Sequence, residues 1–374
     1  MKFTVDRKIL CDGLQAVGSP VSAKPSMSIL GNVLLEATGD ELTLTATNLD
    51  LGICCSVAAS VPGAGVTTLP VKKLASIARA IPAGELDFEL CPTGKSMRIS
   101  GGGSLFRLPC LPAADFPSLP TLEKARTLDF SAEQLFLALR HVEYAQSSDG
   151  HRQILNGICV QVGGGQFSLM ATDGRRLAVD SIPCSGEEGS LILPSGTAAE
   201  LLRLLPGAES VRFSFTGRQV AFTLSQSESA QSPGRIHAVS KVVEGNYPNC
   251  KQVIPGPAER RVRIGREMFL EALQRATLVS SGTGPSVRLK FSENLLEVFA
   301  ASVEFGEAHE RVAIIFPEPG ETEISFNPRY LIEPLRALNC EEIAFEFRDP
   351  LSPGVLRAGD HFLCVVMPLR SGVV

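Results

Sequence analysis

Few residues in this chain have the types and spacing that chemistry demands. Two glycine runs, at 101–103 and 163–165, have the composition of a phosphate cradle. That chemistry requires the loop to open a helix, so that amide N–H groups and the helix dipole meet the anion. SLFRLP and QFSLMA follow the two runs and both read as strands, so the glycines read as hairpin turns. Ten cysteines offer nucleophiles or ligands, but apart from the adjacent Cys54 and Cys55 they are scattered, with no CxxC spacing. A thiol nucleophile needs a basic partner in space, and no cysteine carries a local sign of one. Reduced, mostly buried thiols are the expectation in a chain without a secretion signal. The five histidines form no HxxxH or CxxC…H pattern, so no structural zinc site is expected. Two segments remain. Asp173-Gly174-Arg175-Arg176-Leu177 reads as a charged turn, and Met367-Pro368-Leu369-Arg370 as an edge strand ended by its proline. Neither demands catalysis or a cofactor.

Bulk properties narrow the field further. At 374 residues the length suggests two or three domains. With 44% apolar and 20% charged residues the chain can bury substantial cores. A formal net charge of −5 argues against an ordinary nucleic-acid binder, whose phosphate contacts show as a basic excess. The N-terminal MKFTVDRKIL has no apolar h-region, and no apolar run approaches the ~18 residues of a membrane span. A cytoplasmic address with no membrane partner is the expectation.

The elements that must position any site repeat three times. Segments 6–17 (DRKILCDGLQAV), 131–142 (SAEQLFLALRHV) and 265–278 (GREMFLEALQRATL) each follow a short alternating run. Each carries apolar residues at helical spacing: Leu10, Leu14 and Val17; Leu135, Leu139 and Val142; Phe269, Leu273 and Ala276. A second helix echoes at 70–81, 194–205 and 327–338. The unit is too long for a solenoid and suits a small domain. Ser131 with Gln134 forms a capping-box pattern, Asp6 and Asn327 are favoured N-caps, and Pro328 suits the first helical position. Between the helices lie alternating strands at 32–37, 41–46, 85–90 and 97–100, then 157–162, 166–171, 210–215 and 219–224, then 287–291, 295–300, 341–347 and 364–367. The order helix, hairpin, strand, helix, hairpin recurs, giving an α+β unit with two helices on one face of an antiparallel sheet. Connectors at 122–127 and 255–259 divide the chain into expected domains at 1–121, 122–256 and 257–374.

Several longer words then stand together: MKFTVDR at the start, SILGNVLLEATGDELTLTATNLD (28–50), LPAADFPSLP (111–120), ILNG (154–157), MATDGRRLAV (170–179), EGNYP (244–248) and VVMPLR (365–370). In these the chain resembles the bacterial DNA polymerase III β subunits, the replicative sliding clamps. The likeness runs along essentially the whole chain, in register with the three repeats. It implies three repeated DNA-clamp domains that assemble as a head-to-tail homodimeric ring, with helices lining the hole around double-stranded DNA. The implied role is a non-enzymatic processivity factor without cofactor or metal. The implied partners are the polymerase III alpha subunit, a clamp loader, and other polymerases and repair proteins. These partners dock through short peptides with glutamine followed by leucine and phenylalanine. In and at the ends of the six helical segments, eleven basic and eight acidic residues give +3, against −8 elsewhere. A basic lining inside an acidic protein suits DNA passage without base readout.

The resemblance also implies sites. DNA-facing residues would be Lys24, Lys72, Lys73, Arg79, Arg152 and Arg203. Ring closure would pair Phe106 and Leu108 of domain one with Leu278 and Val279 of domain three. The peptide cleft would take Leu155, Thr172, Gly174, Arg175, Arg176 and Leu177 from domain two, with Pro248 and Val253. Domain three would add Val365, Met367, Pro368, Leu369 and Arg370, with Asn327 and Tyr330 at the edge and Leu351 and Pro353 nearby. The chain departs from the family at Ser195 and Gly196, where basic residues are common, and at Gln153 and Ile154, where some relatives have aromatics. It departs again at Gln252, where a basic residue is common, and at the trailing residues 371–374. These departures imply weaker DNA contact in domain two and an altered cleft rim.

Overall fold

Three of the six helices begin at a side chain that caps the first turn, at Asp6, Ser131 and Asn327. A computed structural model describes residues 1–22, 24–82, 84–226, 234–256, 260–280, 285–316 and 320–369. The helices are α1 (Arg7–Val17), α2 (Val71–Ala80), α3 (Ala132–Glu143), α4 (Ser195–Leu204), α5 (Arg266–Ala276) and α6 (Pro328–Ala337). Asp6 accepts hydrogen bonds from the Lys8 and Ile9 amides at 2.8 and 3.1 Å, satisfying donors that the first turn leaves open. Ser131 Oγ accepts from the Gln134 amide at 3.1 Å, and Asn327 Oδ1 from the Arg329 amide at 3.0 Å. All nine apolar residues expected on the inner faces of α1, α3 and α5 are buried.

The strands are entirely antiparallel and more numerous than the alternation showed. Where the repeat read as a hairpin and a strand between helices, the first unit has Asn32–Thr38, Glu41–Thr47, Leu51–Ala58, Ser60–Gly63 and Gly65–Pro70. The missed strands are buried on both faces or bound to neighbours far along the chain. In Arg176–Pro183, buried on both faces, the apolar residues therefore do not alternate. The glycine runs do turn hairpins: Gly102 and Gly103 take φ of +54° and +78°, Gly164 and Gly165 +60° and +77°. Strands flank both pairs, which removes the phosphate-cradle reading.

Two compact units emerge, one of residues 1–136 with 199–242, the other of 137–198 with 243–374. The first holds a five-stranded sheet ending at the edge strand Ser104–Pro109, and an eight-stranded sheet. In the eight-stranded sheet Arg235–Lys241 pairs with Leu51–Ala58, so one backbone ladder joins the first repeat to part of the second. The second unit holds a twelve-stranded sheet, in which Arg176–Pro183 pairs with Phe362–Val366 in the same way. Phe362–Val366 also pairs with Gly354–Ala358, so the segment before Met367 is an interior strand and not an edge. It ends before Pro368, which cannot donate to a ladder. The longest helix has twelve residues, and no helix among the described residues is long and apolar enough to cross a membrane.

Candidate functional site

In the second unit, the ladder between Arg176–Pro183 and Phe362–Val366 opens at one end into an apolar cleft of about 220 Å³. Leu177, on the first strand, pairs opposite Val365 on the second, and both side chains are buried. With Cys159, Met170, Val179, Cys250 and Val355 they form one packed cluster, against which Tyr247 and Ile254 lean. Leu155 and Pro248 close one side, while Val253 and Met367 rise from the rim at 59% and 46% exposure. Burial raises the thiols of Cys250 and Cys159, the latter to about 12. Burial also raises the Tyr247 hydroxyl, against the opposing effect of the Thr172 amide it receives. The floor is therefore neutral at physiological pH and its thiols are poor nucleophiles.

The tight turn beside the cleft is built from its own side chains. Asp173 Oδ1 accepts the Arg175 and Arg176 amides at 2.9 and 3.1 Å, and Thr172 Oγ1 accepts the Gly174 amide at 3.1 Å. Gly174 sits at φ +88°, a conformation that costs a side chain dearly. Arg176 turns inward and is 5% exposed. It donates to Asp173 Oδ2 at 3.1 Å, to Glu333 Oε2 and to the Tyr144 carbonyl. Its guanidinium lies 5.3 and 4.7 Å from the ring centroids of Tyr144 and Tyr330. The Met367 amide then donates to the Arg175 carbonyl at 3.0 Å, carrying the chain across the rim, and Leu369 N–H reaches the Ser325 carbonyl at 2.8 Å.

Ten of the expected cleft residues line this one cavity: Leu155, Thr172, Gly174 to Leu177, Pro248, Val253, Val365 and Met367. Asn327 caps α6 and Tyr330 stacks on Arg176, and neither is among the residues lining the cavity. Leu369, at 36% exposure, continues the apolar rim beyond Pro368, and Leu351 is exposed at 74%. Arg370 lies outside the described residues. Sequence reading missed Asn249 and Cys250 in the lining, although they directly follow EGNYP, and missed Tyr144 and Glu333, which hold Arg176.

The expected DNA-facing residues fall in different surroundings. In the first unit, Lys72, Arg79 and Arg203 border a groove with Leu14 and Gln15 of α1, and Lys24 and Lys73 are exposed. Arg203 is already engaged within the protein. Its Nη2 donates to the Ala16 carbonyl at 2.7 Å, and its Nε to Glu200 at 2.8 Å. Arg152, in the second unit, borders a hollow beside the cleft, sharing Leu155 and Pro248 with it. Its nearest partners are Asp149 at 3.7 Å and the Asp173 carbonyl at 3.5 Å.

One sheet edge carries Phe106 and Leu108, and the turn past α5 carries Leu278 and Val279, the residues expected at ring closure. Ser104–Pro109 pairs on one side only, with Phe106 and Leu108 half-buried on one face and Leu105 62% exposed on the other. In the second unit, Gly306–Ile315 pairs along its length with Leu295–Ser302, but with Arg260–Gly265 only at Ile314 and Ile315. Its other side is open from Gly306 to Ala313 among the described residues. Leu278, just past α5, is 80% exposed, and Val279 is half-buried.

Against known families, the chain matches the DNA polymerase III beta subunit models for the N-terminal domain over residues 1–120, the central domain over 130–249 and the C-terminal domain over 251–370. It is 33% identical to the beta sliding clamp of Escherichia coli K12, across 99% of this chain and all of that one. Against the beta sliding clamp of Caulobacter vibrioides the identity is 32%, with the same coverage. Among solved structures it is similar to a DnaN sliding clamp from Bartonella birtlesii bound to griselimycin, with a TM-score of 0.90, 30% identity and 99% of each chain covered. The DNA polymerase III subunit beta of Pseudomonas aeruginosa gives 0.89 at 29% identity, covering 99% of this chain and 100% of that one.

Proposed function

This chain belongs to the DNA polymerase III beta subunit family, the beta sliding clamps, and from that premise we propose how its parts perform clamp work. It is a non-catalytic processivity factor of three clamp domains, which we place at 1–121, 122–256 and 257–374. Two copies close head to tail into a ring around duplex DNA, in the cytoplasm. The open edge of Ser104–Pro109 in one copy meets the open edge of Gly306–Ile315 in the other, and Phe106 and Leu108 pack on Leu278 and Val279. Two-fold symmetry repeats the junction and leaves neither edge exposed. Lys24, Lys72, Lys73 and Arg79 face the phosphates, where charge positions the duplex without reading sequence.

The cleft docks the partners. The observation that carries this is the apolar hollow with a neutral floor and Val253, Met367 and Leu369 exposed along its rim. An extended peptide with leucine and phenylalanine after a glutamine would bury two or three apolar side chains, each contributing about 1.5–3 kcal/mol. Ordering and association costs leave about −8 kcal/mol, near micromolar. That strength lets the polymerase alpha subunit, the clamp loader and repair proteins exchange at one site. Met367 adds an adaptable surface for several ligands. Replacing Met367 and Leu177 together by alanine is expected to abolish binding of a fluorescent Gln/Leu/Phe peptide in polarisation assays, with the dimer intact. Met367→Ala alone, at an exposed position, should still weaken it several-fold. Undiminished affinity in both would overturn the assignment.

A further inference from the structure

Among the described residues outside the cleft and the basic groove, one cluster of ligating side chains stands apart. His141 lies near the end of α3, Asp180 on the strand Arg176–Pro183, and His361 in the turn before Phe362–Val366. One ligand atom from each lies within 4.8 Å of the other two. His141 and Asp180 are 6% and 2% exposed, whereas His361 faces solvent. His141 Nδ1 is hydrogen-bonded to Asp180 Oδ2, and Asp180 Oδ1 accepts the Ser181 amide at 2.6 Å. The Phe362 ring stands edge-on to the His141 ring at 5.4 Å, and the two imidazole centroids are 6.3 Å apart. Two donors are thus fixed by packing and hydrogen bonds, while the third borders the solvent from which an ion would enter.

Two imidazoles and one carboxylate form a borderline donor set suited to zinc-class ions, which take three protein ligands plus water. The histidines are far apart in sequence, so their spacing gave no sign of a site. We propose that His141, Asp180 and His361 bind one divalent transition-metal ion of the zinc class. The ion replaces the proton held between His141 and Asp180, which leaves to solvent. His361 then rotates inward to bring all three ligands to about 2.0–2.2 Å from the ion. The consequence is mechanical. Asp180 adjoins Val179, which pairs with Leu363, and the same two strands carry Leu177 and Val365 into the cleft floor. An ion here ties α3 and both strands together beneath the docking site.

The test is a titration of the reduced full-length protein with Co²⁺, followed by displacement with Zn²⁺. One equivalent should bind with the visible absorption of a four-coordinate nitrogen and oxygen site, and without a thiolate-to-cobalt band. That criterion separates the site from the ten cysteines. His361→Ala removes an exposed ligand and should weaken binding by at least about tenfold, with an unchanged melting temperature. His141→Gln, which keeps a polar partner for Asp180, should show the same loss. Binding seen only through thiolates, equal affinity in parent and His361→Ala, or no binding at millimolar Co²⁺ would each overturn the proposal.

Discussion

Arg176 shows how much of the cleft depends on a residue that no partner need touch. Its guanidinium is buried, stacked between two tyrosines and bonded to Asp173, Glu333 and the Tyr144 carbonyl. Removing one member of a buried charged group leaves the others unpaired, at a cost of about 3–5 kcal/mol. Arg176→Met should therefore lower unfolding free energy in urea by about that much. Arg175→Ala, one position away and exposed, should change it by less than about 0.5 kcal/mol. Equal effects would contradict the assigned roles. The adjacent arginines look interchangeable in the sequence; only the fold tells the structural one from the surface one.

Helices and strands were not equally legible. The six helices could be placed because their signals are local: a cap, a first-turn proline, apolar residues every three or four positions. Arg176–Pro183 escaped because it is buried on both sides, so its apolar residues do not alternate, while Leu51–Ala58 and Arg235–Lys241 each find one partner far along the chain. Those three, with Phe362–Val366, form the ladders that join repeats. The cleft suffered similarly. Its lining comes from 155, 172–177, 248–253 and 365–367, and only family likeness linked these words before the fold did. Arg203 on α4 illustrates the limit for charge. It counted among DNA-facing residues, yet it donates to the carbonyl of Ala16 and pairs with Glu200, whose side chain is 10% exposed. Arg203→Ala should lower stability in urea by about 1–3 kcal/mol, because a buried carboxylate and a carbonyl lose their donor. Lys72→Ala, at an exposed site, should leave stability within about 0.5 kcal/mol. A stability loss from Lys72→Ala equal to that from Arg203→Ala would count against this division of labour.

At the scale of the whole molecule, function follows from closure rather than from any reacting group. Two open sheet edges with apolar neighbours would be a liability in an isolated chain, and in the proposed ring they become the interface. Leu108→Lys, on the half-buried face of Ser104–Pro109, should give monomers in sedimentation velocity, whereas an unchanged dimer would reject this junction. The acidic balance of the chain, −5 overall, fits a protein that holds DNA by enclosure instead of affinity. The departures at Ser195 and Gly196, where the family commonly has basic residues, would reduce a basic lining further and make enclosure the more decisive term. The most direct measurement loads the protein onto nicked circular plasmid with a clamp loader and passes it through a sizing column before and after linearisation. Retention on the circle and release from the linear form is the predicted result. Equal retention on both, or none on the circle, would contradict the ring.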